Sequence, residues 1–182
     1  MPPEEKRRQT QESKFASYIT VNTKSMSFTL PPVYPITNKQ QARASSHYSI
    51  LRELARGGAT FVQIRDKTTP AKELYRDLMR CSEFASKYGI ALIINDRCDL
   101  ALSCGAAGLH LGQEDLPPEA ARSILGAACI IGLSAHSVAQ VRRALLSPVQ
   151  YIGFGPVYPT STKKDAAPAV GLRKLKSASR LS

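Results

Sequence analysis

From residue 33 onward the chain alternates short, continuous apolar runs with longer stretches of helical period. The runs are Val33–Thr37, Thr60–Arg65, Ala91–Asn95, Gly108–Leu111, Cys129–Leu133 and Tyr151–Phe154. Helices are predicted at about 45–56, 70–88, 98–104, 117–125, 137–147 and 171–180. Runs such as Ala91-Leu92-Ile93-Ile94 do not alternate apolar with polar. A strand of that kind is buried on both faces, as in a parallel sheet covered by helices. Strands alternating with helices predict an α/β fold with right-handed crossovers. The repeat averages about two dozen residues, which suits a compact TIM-type (β/α)8 barrel, here incomplete with about six βα units.

Local signals set the boundaries. Thr69-Pro70 and Leu116-Pro117-Pro118 place proline near the first turn of a helix. Ser137 is positioned to cap the helix opening with Val138-Ala139-Gln140. Gly57-Gly58, Gly89, Gly105 and Gly126 fall where helices should stop. Residues 1–32 are polar and mixed, with Pro2, Pro3, Pro31 and Pro32 at their ends, and hold no sustained period. They are expected to form a disordered extension, with a short strand at most over Tyr18–Val21. Residues 33–182 then form the incomplete barrel domain.

Composition narrows the class. A length of 182 residues favours one domain with a sizeable core. The longest apolar runs fall far short of the ~18 residues of a transmembrane helix, and no apolar h-region of a secretory signal opens the chain. Four cysteines, at 81, 98, 104 and 129, form no C-x-x-C pair. Reduced thiols and a cytoplasmic setting are the expectation. The net charge of +11 is uneven, because residues 163–182 carry six basic and one acidic side chain. Such an excess suits phosphorylated small molecules, nucleic acid or a solvated tail. The absence of a recognition motif or interleaved aromatics argues against nucleic acid.

In parallel α/β proteins chemistry sits at the C-terminal ends of strands, and the polar residues here gather there. The second run ends in Gln63-Ile64-Arg65-Asp66-Lys67, the third in Asn95-Asp96, and the fourth in Gly112-Gln113-Glu114-Asp115. The fifth leads to Ser134 and His136, and the sixth to Thr160-Ser161-Thr162-Lys163-Lys164. Asp96 and Asp115 are hard oxygen ligands suited to Mg²⁺, which takes one or two carboxylates with substrate phosphates and waters. Arg65, Lys67 and Lys163 supply charge for phosphates. Gln63 and Asn95 can donate and accept, as orienting a heterocycle requires. The bland readings are an Asp that caps a helix, an Arg65–Asp66 ion pair, and plain turn residues at 160–162. Arrival together at successive strand ends favours a polyanion site. His136 reads as an acid/base or a loop residue, and His110 as a satisfied core residue.

These residues also carry a resemblance. Gln63-Ile64-Arg65-Asp66-Lys67, Ile94-Asn95-Asp96-Arg97, Gly108-Leu109-His110-Leu111-Gly112-Gln113-Glu114-Asp115-Leu116, Ile131-Gly132-Leu133-Ser134 and the stretch from Tyr151 to Lys163 resemble the thiamine phosphate synthase (thiamine-phosphate pyrophosphorylase) family in order and spacing. The resemblance implies a (β/α)8 barrel transferase of thiamine biosynthesis. It would join an aminopyrimidine methyl pyrophosphate to a thiazole phosphate, forming thiamine phosphate and pyrophosphate. By the same resemblance Asp96 and Asp115 hold Mg²⁺. Gln63, Ile64, Arg65, Asp66, Lys67, Asn95, Ser134 and Lys163 bind the pyrimidine pyrophosphate, and Thr160, Ser161 and Thr162 contact the thiazole phosphate. The implied reaction is dissociative, so Arg65, Lys67 and Lys163 act catalytically by stabilising the departing pyrophosphate, and no covalent nucleophile is needed.

Against the family pattern a seventh and an eighth βα unit are missing. The expectation is therefore a C-terminally truncated barrel whose first and last strands have bare edges. Such a chain would be poorly stable alone, pair with a second copy as a homo-oligomer, or be a piece of a longer product. Two other functions stand beside the synthase. One is a thiazole tautomerase-like isomerase using His136, and the other a degenerate barrel that binds ligand without turnover.

Overall fold

The computed structural model describes residues 18–20, 29–160 and 167–181. In chain order these form β1 (Tyr18–Thr20), β2 (Ile36–Thr37), α1 (Lys39–Ala42), α2 (His47–Arg56), β3 (Phe61–Ile64), α3 (Ala71–Lys87) and β4 (Ala91–Asn95). There follow α4 (Cys98–Ser103), β5 (Gly108–Leu111), α5 (Pro118–Leu125), β6 (Ile130–Ala135), α6 (Val138–Ala144), β7 (Tyr151–Phe154) and α7 (Gly171–Ser179). The strands form one sheet in the order β1-β7-β6-β5-β4-β3-β2. All pairs from β2 to β7 are parallel. The architecture is an incomplete TIM-type α/β barrel of six parallel strands alternating with helices.

The apolar runs become strands for the reason their pattern implies. Every residue of β3 and β5 is buried. One face packs outward on the helices; α3, for example, lays Leu74, Leu78, Cys81 and Ala85 on the sheet at helical spacing. The inner face is filled by a second cluster of Tyr34, Phe61, Ile93 and Tyr151. Phe61 and Tyr151 open β3 and β7, so this aromatic plug fills the interior toward the strand starts and leaves the strand ends open. Gly132 makes the plug possible. A Cβ there would lie 2.1 Å from Cζ of Tyr151, closer than any real contact.

Helix boundaries follow their caps. Ser137 Oγ accepts the Gln140 N–H at 3.2 Å and starts α6. Gly126 ends α5 at φ 79°, in the left-handed region that favours glycine. Two boundaries differ from expectation. β2 shrinks to Ile36–Thr37 because Pro35 has no N–H to give a ladder and Val33 is exposed. The one-turn α1 is too short to show a period.

The expected bare edge on the last strand needs correction. β1 pairs antiparallel with β7, with Ile19 opposite Ile152. An antiparallel partner satisfies the β7 edge through main-chain groups, so it needs no apolar pattern of its own. Of the 1–32 extension, residues 1–17 and 21–28 lie outside the described residues. Among the described residues no helix is long and apolar enough to cross a membrane.

Candidate active site

At the strand ends above the aromatic plug opens a cavity of about 530 Å³, within the usual range of small-molecule sites. Strand alternation decides which side chains reach it. Gln63 and Arg65 line the cavity, while Ile64 between them packs into the core under the helices. Lys67 follows in the loop and lines the cavity as well. β4 contributes Asn95, Asp96 follows directly after it, β5 leads to Asp115, and β6 supplies Ser134. Thr160 is on the wall beyond β7. Ser161, Thr162 and Lys163 lie outside the described residues.

The carboxylates define the chemistry. Asp96 takes a φ of 62°, which Asp tolerates better than most residues. Its N–H donates to the His110 carbonyl at 2.9 Å, tying the end of β4 to β5. Burial pushes the Asp96 carboxyl up to about 6, the hydrogen bond and charge of Asp115 add to that, and Lys67 opposes it. Lys67 Nζ lies 3.5 Å from Asp96 Oδ2. Asp115 is oriented by the Gly112 N–H, which donates to its Oδ2 at 2.6 Å. Two facing carboxylates that repel each other in a half-buried cleft are a donor set for one hard divalent cation. Among the described residues no cluster of three or more acidic, His or Cys ligands occurs.

Asp66 stands apart from the cavity. Its carboxylate accepts from the Thr68 and Thr69 N–H groups, both at 2.9 Å. It also meets His47 Nε2 and Lys39 Nζ, each at 3.0 Å. Burial alone would raise this carboxyl, but the Thr69 and Thr68 N–H groups, His47 and the Thr69 hydroxyl together hold it well below the usual carboxylate range. It pins the loop that presents Lys67.

Two histidines singled out in the sequence also shape the site: His110 is the satisfied core residue expected, buried with both ring nitrogens hydrogen-bonded, and His136 sits at the end of β6. His136 hydrogen-bonds through Nδ1 to the Gly155 carbonyl, and its N–H donates to Gln140 Oε1 at 2.6 Å. These contacts tie β6 to the loop that leads to Thr160. Gln113 Nε2 donates to the Ser134 carbonyl at 2.6 Å. Tyr34, His110 and Tyr151 form the polar floor.

The profile of TMP-TENI, described as thiamine monophosphate synthase, matches residues 33–182. The chain belongs to the thiamine monophosphate synthase family. It is 44% identical over 150 residues to the thiamine-phosphate synthase of Persephonella marina, covering 82% of this chain and 71% of that protein. Against thiamine-phosphate synthase 1 of Aquifex aeolicus the identity is 39% over 150 residues, with 82% and 69% covered. A solved structure, the thiamine phosphate pyrophosphorylase of Pyrococcus furiosus, matches with a TM-score of 0.69 and 33% identity, covering 80% of this chain and 67% of that one. The family's profile begins at the residue where the strand–helix alternation begins. The cavity, with Asp96, Asp115, Arg65 and Lys67 on its rim, lies inside the matched region of this synthase-family chain.

Proposed function

We propose that the chain is a Mg²⁺-dependent thiamine-phosphate synthase. It transfers the aminopyrimidine methyl group from its pyrophosphate to the ring nitrogen of a thiazole phosphate. The observation that carries this reading is the facing Asp96–Asp115 pair beside Lys67 in the cavity of a family member. In the reaction the methyl carbon–oxygen bond breaks and pyrophosphate leaves with the electron pair. The aminopyrimidine ring delocalises the cation that remains. The thiazole nitrogen then donates its lone pair to form the new carbon–nitrogen bond. No residue has to act as nucleophile.

The chain's own residues bind and orient. Arg65 and Lys67 hold the pyrophosphate oxygens, with Lys163 assigned the same task from its place in the sequence. Gln63 and Asn95 orient the pyrimidine ring, and Thr160 to Thr162 take the thiazole phosphate. A divalent cation held by Asp96 and Asp115 would neutralise charge on the leaving pyrophosphate. Fixed positive charge aimed at a developing anion is the largest catalytic term such a site can offer. Phosphorylated substrates do not cross a bilayer unaided, and we place the reaction in the cytoplasm.

The test is turnover by the purified chain with both substrates. Pyrophosphate release should require Mg²⁺ and fall about 10²-fold or more in Asp115→Asn. Mg²⁺-dependent binding of the pyrimidine pyrophosphate with no release would instead support the ligand-binding barrel. The relatives named above are synthases and a pyrophosphorylase, which does not favour the isomerase.

A further inference from the structure

Arg65 and Lys67 line the cavity, and Asp66 between them turns away from it. Behind that turn lies a buried bridge. Thr37 closes β2, pairs with Ile64 in the neighbouring strand and is buried. Its Oγ1 accepts the Arg65 N–H at 3.3 Å. The same oxygen lies 2.8 Å from Nδ1 of His47, whose side chain has no exposed surface. The other ring nitrogen, Nε2, lies 3.0 Å from Oδ2 of Asp66. One imidazole therefore joins the end of β2 to the carboxylate between Arg65 and Lys67. The ring is itself anchored. His47 opens α2, and its main-chain N–H donates to Asp77 Oδ2 on α3 at 2.6 Å. The Tyr48 N–H donates to Oδ1 of the same carboxylate at 3.2 Å.

The polarity of the bridge is set at its Asp66 end. That carboxyl is held well below the usual carboxylate range, so it is ionised, and a carboxylate only accepts. His47 Nε2 therefore carries a proton and donates it. In the neutral ring Nδ1 then accepts from the Thr37 hydroxyl, whose oxygen still receives the Arg65 N–H. Each of these buried groups is met, and leaving one unmet is costly. Lys39 Nζ and the Thr68 and Thr69 N–H groups hold Asp66 as well. The imidazole adds the link from Asp66 to Thr37 and so to Arg65.

We propose that His47 and Thr37 are positioning residues, whose buried bridge sets the main chain at Arg65 and Lys67 so that both cations converge on one pyrophosphate. The choice of pyrophosphate rests on the function proposed above; the bridge itself does not. Neither residue acts on the ligand directly. The bridge fixes where two positive charges stand, and a shift of about 1 Å in such groups can cost about 10²-fold.

The test measures binding of inorganic pyrophosphate with Mg²⁺ to the full chain by calorimetry. Thr37→Val keeps the side-chain volume and removes the hydroxyl. Thr37→Ser keeps the hydroxyl and removes a buried methyl group. Thr37→Val should weaken pyrophosphate binding by about tenfold or more, and Thr37→Ser should bind as wild type does. His47→Phe keeps a ring, removes both links and should weaken binding as Thr37→Val does. If that variant fails to fold, the Thr37 pair decides. A merely structural role would follow packing instead. Thr37→Ser would then be impaired as much as Thr37→Val, and that result overturns the proposal. Unchanged binding in Thr37→Val overturns it as well. ¹⁵N NMR of the His47 ring in wild type should show a proton on Nε2, and an unprotonated Nε2 contradicts the bridge. Wild type that showed these binding losses on substitution but made no thiamine phosphate would sink the synthase reading and leave the bridge standing. Normal turnover, with Thr37→Val binding pyrophosphate like wild type, would sink the bridge alone. Wild type that bound no pyrophosphate would remove both.

Discussion

Asp66 and Asp96 are the same residue type in opposite circumstances. Asp66 is held well below the usual carboxylate range by its donors. A depressed carboxyl contributes stability that is present above the unfolded value of about 3.9 and is lost as pH falls below it. Asp66→Asn should therefore cost about 2 kcal/mol at pH 7, and clearly less at pH 3. Denaturant unfolding at the two pH values checks this, and an equal penalty at both would contradict it. Asp96 is raised to about 6, so between about pH 4 and 6 the folded chain binds a proton that the unfolded chain has released. Stability of the metal-free chain then falls as pH rises through that window. Asp96→Asn removes the repulsion, and Asn tolerates the positive φ at that position equally well. The metal-free variant should be more stable than wild type by about 1 kcal/mol at pH 7.5, with no gain at pH 4. A variant less stable than wild type at pH 7.5 would contradict this. The cavity-lining Arg65, Lys67, Asn95, Asp96, Asp115, Ser134 and Thr160 are legible in the sequence because strand ends are where polar residues interrupt apolar runs. The floor is not legible. Tyr34 and Tyr151 lie 117 positions apart, and only the sheet order brings them together.

At the scale of elements, the apolar runs foretell every parallel strand and the longer helices to within a few residues. A strand buried on both faces leaves little ambiguity of period once helices of 3.6 period flank it. What escapes is set by main-chain groups. The strand expected over Tyr18–Val21 forms as β1, but its antiparallel pairing with β7 is not written in the pattern, and Pro35 shortens β2 by withholding an N–H. Close approach is equally silent in the pattern. Gly132 reads as one more small residue in a strand, yet the Tyr151 ring lies where its Cβ would be. That ring is buried and packed edge-on to Tyr34 at 5.7 Å and to Phe61 at 6.2 Å. Gly132→Ala should destabilise the fold by about 3 kcal/mol, the upper range for forcing extra volume into a packed core. Thermal unfolding would show this as a clear drop in Tm, and an unchanged Tm would mean the ring moves aside freely.

At the scale of the whole molecule, the sheet and its aromatic plug place one open cavity where a parallel α/β fold keeps its chemistry. The chain spans 71% of the length of its Persephonella marina relative and 69% of the Aquifex aeolicus one. On the function proposed above, the chain brings both substrates together at Asp96, Asp115, Arg65 and Lys67. The most direct measurement counts product per chain after the purified protein has been incubated with both substrates and Mg²⁺. Many molecules of thiamine phosphate per chain are expected, with an equal number of pyrophosphate, and none of either without the divalent cation. Pyrimidine pyrophosphate that stays bound and unconverted, with less than one product per chain, would contradict it.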